Sequence, residues 1–415
     1  MLALALAATL VQSDLRDVLN DPALEGAIAG ICVMTLDGEV VFENLGDTRL
    51  VPASNQKILS TIYALNALGV QHRPQTRFWR TGESVYVDAP GSPTMTKEQL
   101  LKAREALGNP TDAAINVRQA YQPKVPPSWE FDDLPHRYAA RVTAFSFDRG
   151  GLEIWAENRE VVQLDPAYKV VVRGVGGDGA PKVTYDPWTR VATVSGRLPK
   201  ARNLIEAFAM PDPAATAARF LGGTLVNTDK PPPRREPDFV VVGPPILRTV
   251  QDCLERSDNN HAENLMLMAA SASEPLGDSE YREASSRMKK FLVDVVGIRQ
   301  IDVKPVDASG MSRQNLVTPK AICQSLAWAH RQPWGEQYLV ALAAGGEGTL
   351  GSRLKTSTFI GKTGTLNAVV CLSGYVRSGS GETLIVSMLF NHTVVPARRV
   401  RAVQDRLIDA IERGL

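Results

Sequence analysis

Apolar residues recur at helical or strand spacing along most of the chain. Residues 12–20, Gln-Ser-Asp-Leu-Arg-Asp-Val-Leu-Asn, place Leu15, Val18 and Leu19 on one face and predict a short helix. Two strand-like runs follow, Ala27–Thr35 and Glu39–Asn44. The Leu-Asp-Gly between them predicts a hairpin, because Asp-Gly reaches positive φ at little cost. A helical apolar pattern then runs from Gln56 to about Leu68, with Gly69 suited to the position just past its end.

From Arg80 to Pro237 the texture changes. Gly and Pro become frequent and short alternating runs appear, at Arg141–Phe147, Leu152–Ala156, Tyr168–Arg173, Val183–Asp186 and Val191–Gly196. These predict strands, with one helix near Lys97–Leu107. The stretch ends at Pro231-Pro232-Pro233-Arg234-Arg235-Glu236-Pro237, stiff and suited to a domain boundary. Helical spacing then returns at Ile246–Arg256, Ala262–Ala272, Ser285–Val295, Pro319–Ala329 and Glu336–Ala343. Three strand-like runs follow, Phe359–Thr363, Val369–Val376 and Thr383–Phe390, and an amphipathic helix closes the chain over about Val400–Ile411. This order predicts one α+β domain, built from residues 1–80 and 238–415, interrupted by a β-rich insertion over 81–237.

The chain has 415 residues, which suits two or more domains. Its 46 basic and 45 acidic side chains leave a net charge of +1, so there is no electrostatic footprint for nucleic acid. Cys32, Cys253, Cys323 and Cys371 show no CxxC spacing and no His placed for zinc; they read as small buried residues, unbridged. The opening apolar run of 11 residues is too short for a membrane-spanning helix, and the first basic residue, Arg16, comes after it. It reads either as the remnant of an export signal or as the start of the first helix. No other stretch has the length and apolarity of a membrane span.

Three short motifs carry chemistry. Ser54-Asn55-Gln56-Lys57 puts a hydroxyl and an amine one helical turn apart at a helix start. A serine hydroxyl needs an adjacent base to become a nucleophile, and a desolvated lysine of lowered pKa can serve. Alone the pattern is common, and a capping Ser beside a solvated Lys is its ordinary meaning. Ser257-Asp258-Asn259 offers a second hydroxyl and a carboxamide, which alone is ordinary turn chemistry. Lys362-Thr363-Gly364-Thr365 heads a strand and brings a cation and two hydroxyls suited to a carboxylate. Its glycine would let a substrate backbone lie close. In this order the three form the signature set of penicillin-binding proteins and class A β-lactamases, and each stands in a fitting context of helix start, loop and strand.

With its flanks the chain resembles the D-alanyl-D-alanine carboxypeptidase/endopeptidase family, the class C low-molecular-mass penicillin-binding proteins (peptidase family S13). Pro52-Ala53-Ser54-Asn55-Gln56-Lys57 is similar to the family's first motif. Arg256-Ser257-Asp258-Asn259 with Ala262-Glu263-Asn264-Leu265 is similar to the second. Asp307-Ala308-Ser309-Gly310-Met311-Ser312-Arg313 with Asn315 resembles its D-x-S-G-L-S segment. Gly348-Thr349-Leu350, Lys362–Leu366 and Ser373–Val376 resemble its C-terminal blocks, so the likeness covers roughly residues 10–80 and 240–395.

The resemblance implies a serine β-lactamase/transpeptidase-like fold, a five-stranded antiparallel sheet with flanking helices, from which the insertion emerges soon after the Ser54 helix. It implies a serine-type D-Ala-D-Ala carboxypeptidase acting on peptidoglycan stem peptides, cleaving cross-links in some members, and acylated by β-lactam antibiotics as covalent inhibitors. The enzyme would be exported to the periplasm or cell envelope and would need no metal and no cofactor. Ser54, Lys57, Ser257 and Lys362 would be catalytic, and Asn259, Thr363, Gly364 and Thr365 would bind substrate. Which of Lys57 and Lys362 takes the first proton is open at this level, and Asp307 and Ser309 read as supporting the site. A β-lactamase would share the nucleophile and differ in fast deacylation, but the length and the large insertion speak against it. A non-catalytic scaffold is the other alternative, and the intact Ser, Lys, Ser, Asn and Lys set speaks against that.

Overall fold

The computed structural model describes residues 14–414 apart from 123, 163–168, 174–178, 187–188 and 190. The apolar N-terminal run lies outside the described residues, while residues 14–19 are helical and bury Leu15. The chain divides into two compact units. One joins the residues up to Arg73 to those from Pro244 onward, and the other is Pro74–Gly243.

The first unit is built on an antiparallel sheet. Its spatial order is Ala343–Ala344, Ile360–Leu366, Val369–Arg377, Thr383–Asn391, Ile28–Thr35 and Val40–Asn44. Five strands carry the sheet, and the two-residue sixth touches only Gly361 and Ile360. The central strands Val369–Arg377 and Thr383–Asn391 are buried almost throughout, which explains their near-continuous apolar character. Successive strand residues point to opposite faces. One face, with Ile31, Val33, Val386 and Met388, receives Val400, Val403, Leu407, Ile408 and Ile411 of the helix Ala397–Gly414. Those five recur at i, i+3 and i+4 spacing, and each buried side chain contributes roughly 1.5–3 kcal/mol relative to exposure. The helix Pro319–His330 packs on the same two strands, with Cys323 Sγ 3.4 Å from the carbonyl of Cys32, a residue of opposite parity to Ile31 and Val33. Behind it lie Gln56–Leu68, Ile246–Arg256 and Asn259–Ser273, packed on one another. Gln56–Leu68 is buried from Gln56 to Leu65, consistent with a helix inside a bundle and not at its surface.

The second unit holds a mixed five-stranded sheet, ordered Gly223–Asn227, Ala113–Gln119, Ser84–Ala89, Gln75–Thr81 and Phe239–Val242, and two three-stranded sheets. Its bounds lie outside the Pro-rich texture border because Phe239–Val242, beyond that border, pairs with Gln75–Thr81. Among the described residues two α-helices lie in this unit. Lys97–Ala106 starts on a full capping box made by Thr96 and Gln99. Pro213–Phe220 is capped by Asp212 with Pro at its first position, an N-terminal signal that sequence reading passed over. Arg141–Phe147, expected as a strand, is not one. Thr143 Oγ1 and Phe145 N both donate to the Gln119 side chain, and only Val142 bridges to Lys124, so no ladder forms along this run. All four cysteines are buried free thiols.

Candidate active site

The helix Gln56–Leu68 is preceded by a 3-10 turn, Ala53–Asn55, that carries Ser54. Ala53 sits at φ 46°, a conformation alanine adopts at a cost, so something outside the turn must hold it. Asn391 grips the chain just upstream, accepting from Val51 N at 2.9 Å and donating to Val51 O at 3.1 Å. Asn55, buried, donates to Lys362 O at 3.0 Å and accepts from Ser373 Oγ at 2.6 Å, in the amide orientation that satisfies both ends. Two glycines close on the turn. A Cβ on Gly364 would lie 3.1 Å from Ser54 N, and one on Gly310 would lie 1.8 Å from Ala53 O. Gly364, singled out for substrate approach, thus also lets the strand Ile360–Leu366 lie against the Ser54 turn.

Lys57 is wholly buried, and its Nζ has three oxygen neighbours: Ser54 Oγ at 2.9 Å, Asn259 Oδ1 at 2.7 Å and Ser309 O at 2.8 Å. Asn259 is fixed in this sense by its own Nδ2, which faces Met311 Sδ at 2.8 Å. Burial holds the Lys57 amine below its ordinary range, against the opposing pull of acidic neighbours that include Glu263 and Asp307. Lys362 is also fully buried and donates to Thr363 O at 2.9 Å. Burial pushes it well below the usual lysine range, and the like charge of Lys57 pushes the same way.

Ser257 is held at φ 56° as the left-handed cap of Ile246–Arg256, while Asp258 caps the next helix by accepting from His261 N at 3.0 Å. Among the described residues the Ser257 hydroxyl makes no hydrogen bond, so Asn259 and not Ser257 is the motif's contact to the Lys57 amine. Thr363 Oγ1 lies 2.8 Å from Thr349 Oγ1, and Thr365 Oγ1 accepts from Arg401 Nη2 at 3.1 Å.

Two features of this cluster had no role in the sequence reading. The carbonyl of Ser309 is one; a main-chain acceptor has no sequence signal. Its loop is shaped by Asp307, whose carboxylate accepts from Gly310 N at 2.8 Å, Ser312 N at 2.6 Å and Asn315 Nδ2 at 2.7 Å. The other is Glu263, which was only part of a motif flank. Fully buried, it accepts from Ala308 N at 3.1 Å and Ser309 N at 2.8 Å and so orients the Ser309 peptide. Burial, reinforced by the charge of Asp307, pushes Glu263 up to about 8. The arrangement as a whole is a hydroxyl on a helix N-terminus, a dry amine against it, and a strand beside both. Among the described residues no strand pairs with Lys362–Leu366 on its outer edge.

The fold is that of the active-serine penicillin-recognising proteins. Penicillin-binding protein 4 of Haemophilus influenzae superposes with a TM-score of 0.76 at 20% identity, over 96% of this chain and 97% of that one. A second structure of it, in complex with a β-lactam, gives a TM-score of 0.68 at 20% identity, over 95% and 98%. In sequence, a D-alanyl-D-alanine carboxypeptidase of Actinomadura sp. (strain R39) is 29% identical over 96% of this chain and 84% of its own length. A carboxypeptidase of Mycobacterium tuberculosis is 26% identical over 92% and 79%. The profile of the D-Ala-D-Ala carboxypeptidase 3 (S13) family matches residues 11–411. The chain belongs to that family and is a serine-type D-Ala-D-Ala carboxypeptidase.

Proposed function

We propose that the chain removes the terminal D-Ala of peptidoglycan stem peptides by two-step acyl transfer on Ser54, with Lys57 as general base. The observation that carries this reading is the set of partners around the Lys57 amine. Asn259 Oδ1 and Ser309 O can only accept, so they take the two N–H groups of a neutral amine. The one lone pair left then meets Ser54 Oγ, 2.9 Å away, and receives its O–H. Burial favours that neutral form.

The steps follow. The Ser54 proton passes to Lys57 as Oγ bonds to the penultimate D-Ala carbonyl carbon. The backbone N–H groups of Ser54 and Thr365 hold the oxyanion. The C–N bond breaks, and the leaving D-Ala amine takes the proton from the Lys57 ammonium by way of Ser257. Water then hydrolyses the ester, and Lys57 again takes and returns one proton. The open edge of Lys362–Leu366 suits a peptide added as an extended strand. Lys362, Thr363 and Thr365 face its terminal carboxylate, and Asn259 holds its backbone. β-Lactams acylate the same hydroxyl. The substrate lies in the wall, so the enzyme works in the periplasm or cell envelope after export; no described helix is long and apolar enough to cross a membrane.

Penicillin labelling followed by peptide mapping by mass spectrometry tests the assignment. One adduct, slow to hydrolyse and carried by Ser54, is the expected result. An adduct on Ser257, or no adduct at all, would contradict it, and rapid turnover of the drug would point instead to a β-lactamase.

A further inference from the structure

The helix Ala397–Gly414 starts against the usual electrostatic rule. Its N-terminal end carries the positive end of the macrodipole, where acidic residues are favoured and cations are not. Yet its first turn has no acidic residue, and Arg398, Arg399 and Arg401 fall among its first five positions. Neighbouring cations are neutralised: Arg353 pairs with Asp405 at 2.7 Å, and Arg406 pairs with Asp21. Asp405 is also the i+4 residue from Arg401, its natural partner on the helix surface, and Arg353 occupies it. Among the described residues no carboxylate lies within ion-pair distance of Arg401. Its side chain goes elsewhere, with Nη2 donating to Thr365 Oγ1 at 3.1 Å.

We propose that Arg401 is a positioning residue for the carboxylate end of the substrate, acting through the Thr365 hydroxyl. The inference rests on the reading of Thr363–Thr365 as the carboxylate subsite. Thr363 and Thr365 share one face of the strand. Arg401 is the one side-chain partner of Thr365 Oγ1 among the described residues. A guanidinium only donates, so it fills a lone pair of that oxygen and leaves the hydroxyl proton free to be given away. A donor polarised by a cation is a stronger donor, and an anion is its best acceptor. The unpaired charge on Arg401 adds a favourable field for the same anion. The unfavourable placement of Arg401 at the helix start then has a use, which is a cation held on Thr365 beside the end of the substrate strand.

The test compares an N-acyl-D-Ala–D-Ala peptide with the same peptide capped as its C-terminal methyl amide, by kcat/KM for release of the last residue. The wild-type enzyme should prefer the free acid. Arg401→Ala should reduce kcat/KM for the acid about tenfold, mainly through KM, and reduce that for the amide far less, so the acid-to-amide ratio collapses. Arg401→Lys should restore part of the ratio. Arg398→Ala, which removes an equal charge from the same helix end without reaching Thr365, should keep the wild-type ratio. Equal losses on both peptides in Arg401→Ala would overturn the proposal and mark the residue as support for the helix. So would a ratio that collapses equally in Arg398→Ala. A wild-type enzyme indifferent to the cap overturns it too, while leaving acyl transfer on Ser54 standing. Release from neither peptide overturns both readings.

Discussion

Lys57→Arg should leave a folded protein that acylates with penicillin about 10²–10⁴-fold more slowly than wild type, the range by which a positioned base accelerates proton transfer. The substitution supplies a fixed positive charge and donors for the same oxygens. What it removes is the lone pair, because a guanidinium stays protonated. If the residue served as a cation, arginine would be tolerated; if it is the base, arginine is fatal. Three oxygens already surround the amine, so a guanidinium can satisfy Asn259 and Ser309 and still offer Ser54 nothing to accept its proton. Lys57→Met, of similar length and without charge or lone pair, should lose as much. The pH dependence separates base from charge a second way. The active form is the neutral amine, and burial lowers the Lys57 pKa, so acylation should rise with pH through that lowered value and fall away below it. Rates of labelling by a fluorescent penicillin between pH 5 and 10 would measure the limb, and thermal melting would check that the variants fold. Normal labelling of Lys57→Arg would transfer the base role to another group, Lys362 first.

The parts of this site that could be read from the sequence are those whose geometry is local. Ser54 and Lys57 are one helical turn apart, so spacing alone places the amine at the hydroxyl. The long strands and the C-terminal helix were legible for a similar reason, since continuous burial or i, i+3, i+4 burial leaves a periodic mark. Contacts across the chain leave none. Lys57 meets Asn259 and the Ser309 carbonyl across more than two hundred residues, and nothing in either segment announces the other. Asn259 was within reach only because it belongs to a motif. Glu263 stood only in a motif flank, yet its helix is buried from Asn259 to Ala270, and the carboxyl orients two peptide groups of another loop. The misread strand at Arg141–Phe147 fails for a related reason. Its alternation is genuine, but the Gln119 side chain takes the Phe145 N–H and the Thr143 hydroxyl, and only Val142 pairs across to another segment.

Gly310→Ala should be the most damaging conservative change in the cluster, costing about 2–5 kcal/mol of stability and slowing acylation as well. Two separate penalties meet at this position. Gly310 has φ +85°, a left-handed conformation that costs an L-residue about 1–2 kcal/mol. The space is also taken: an added Cβ would fall 1.8 Å from Ala53 O and 2.5 Å from Ala53 C. Those atoms are backbone, so no side chain can swing aside. Overpacking of that kind costs about 1–3 kcal/mol when the structure yields. Any yielding here bears on Ala53, the residue before the nucleophile, which already sits at φ 46°. Displacing it breaks the alignment of Ser54 with Lys57, so the loss in rate should exceed what the loss in folded protein explains. Gly297 supplies the control. It has nearly the same dihedral, φ +89°, at the end of the segment Leu292–Val296, with nothing within 4 Å of an added Cβ. Gly297→Ala should therefore show the conformational penalty alone, about 1 kcal/mol, and an unchanged acylation rate. Urea denaturation gives the two stabilities and penicillin labelling the two rates. If Gly310→Ala matches Gly297→Ala in both, the clamp on the nucleophile turn does not matter to the enzyme.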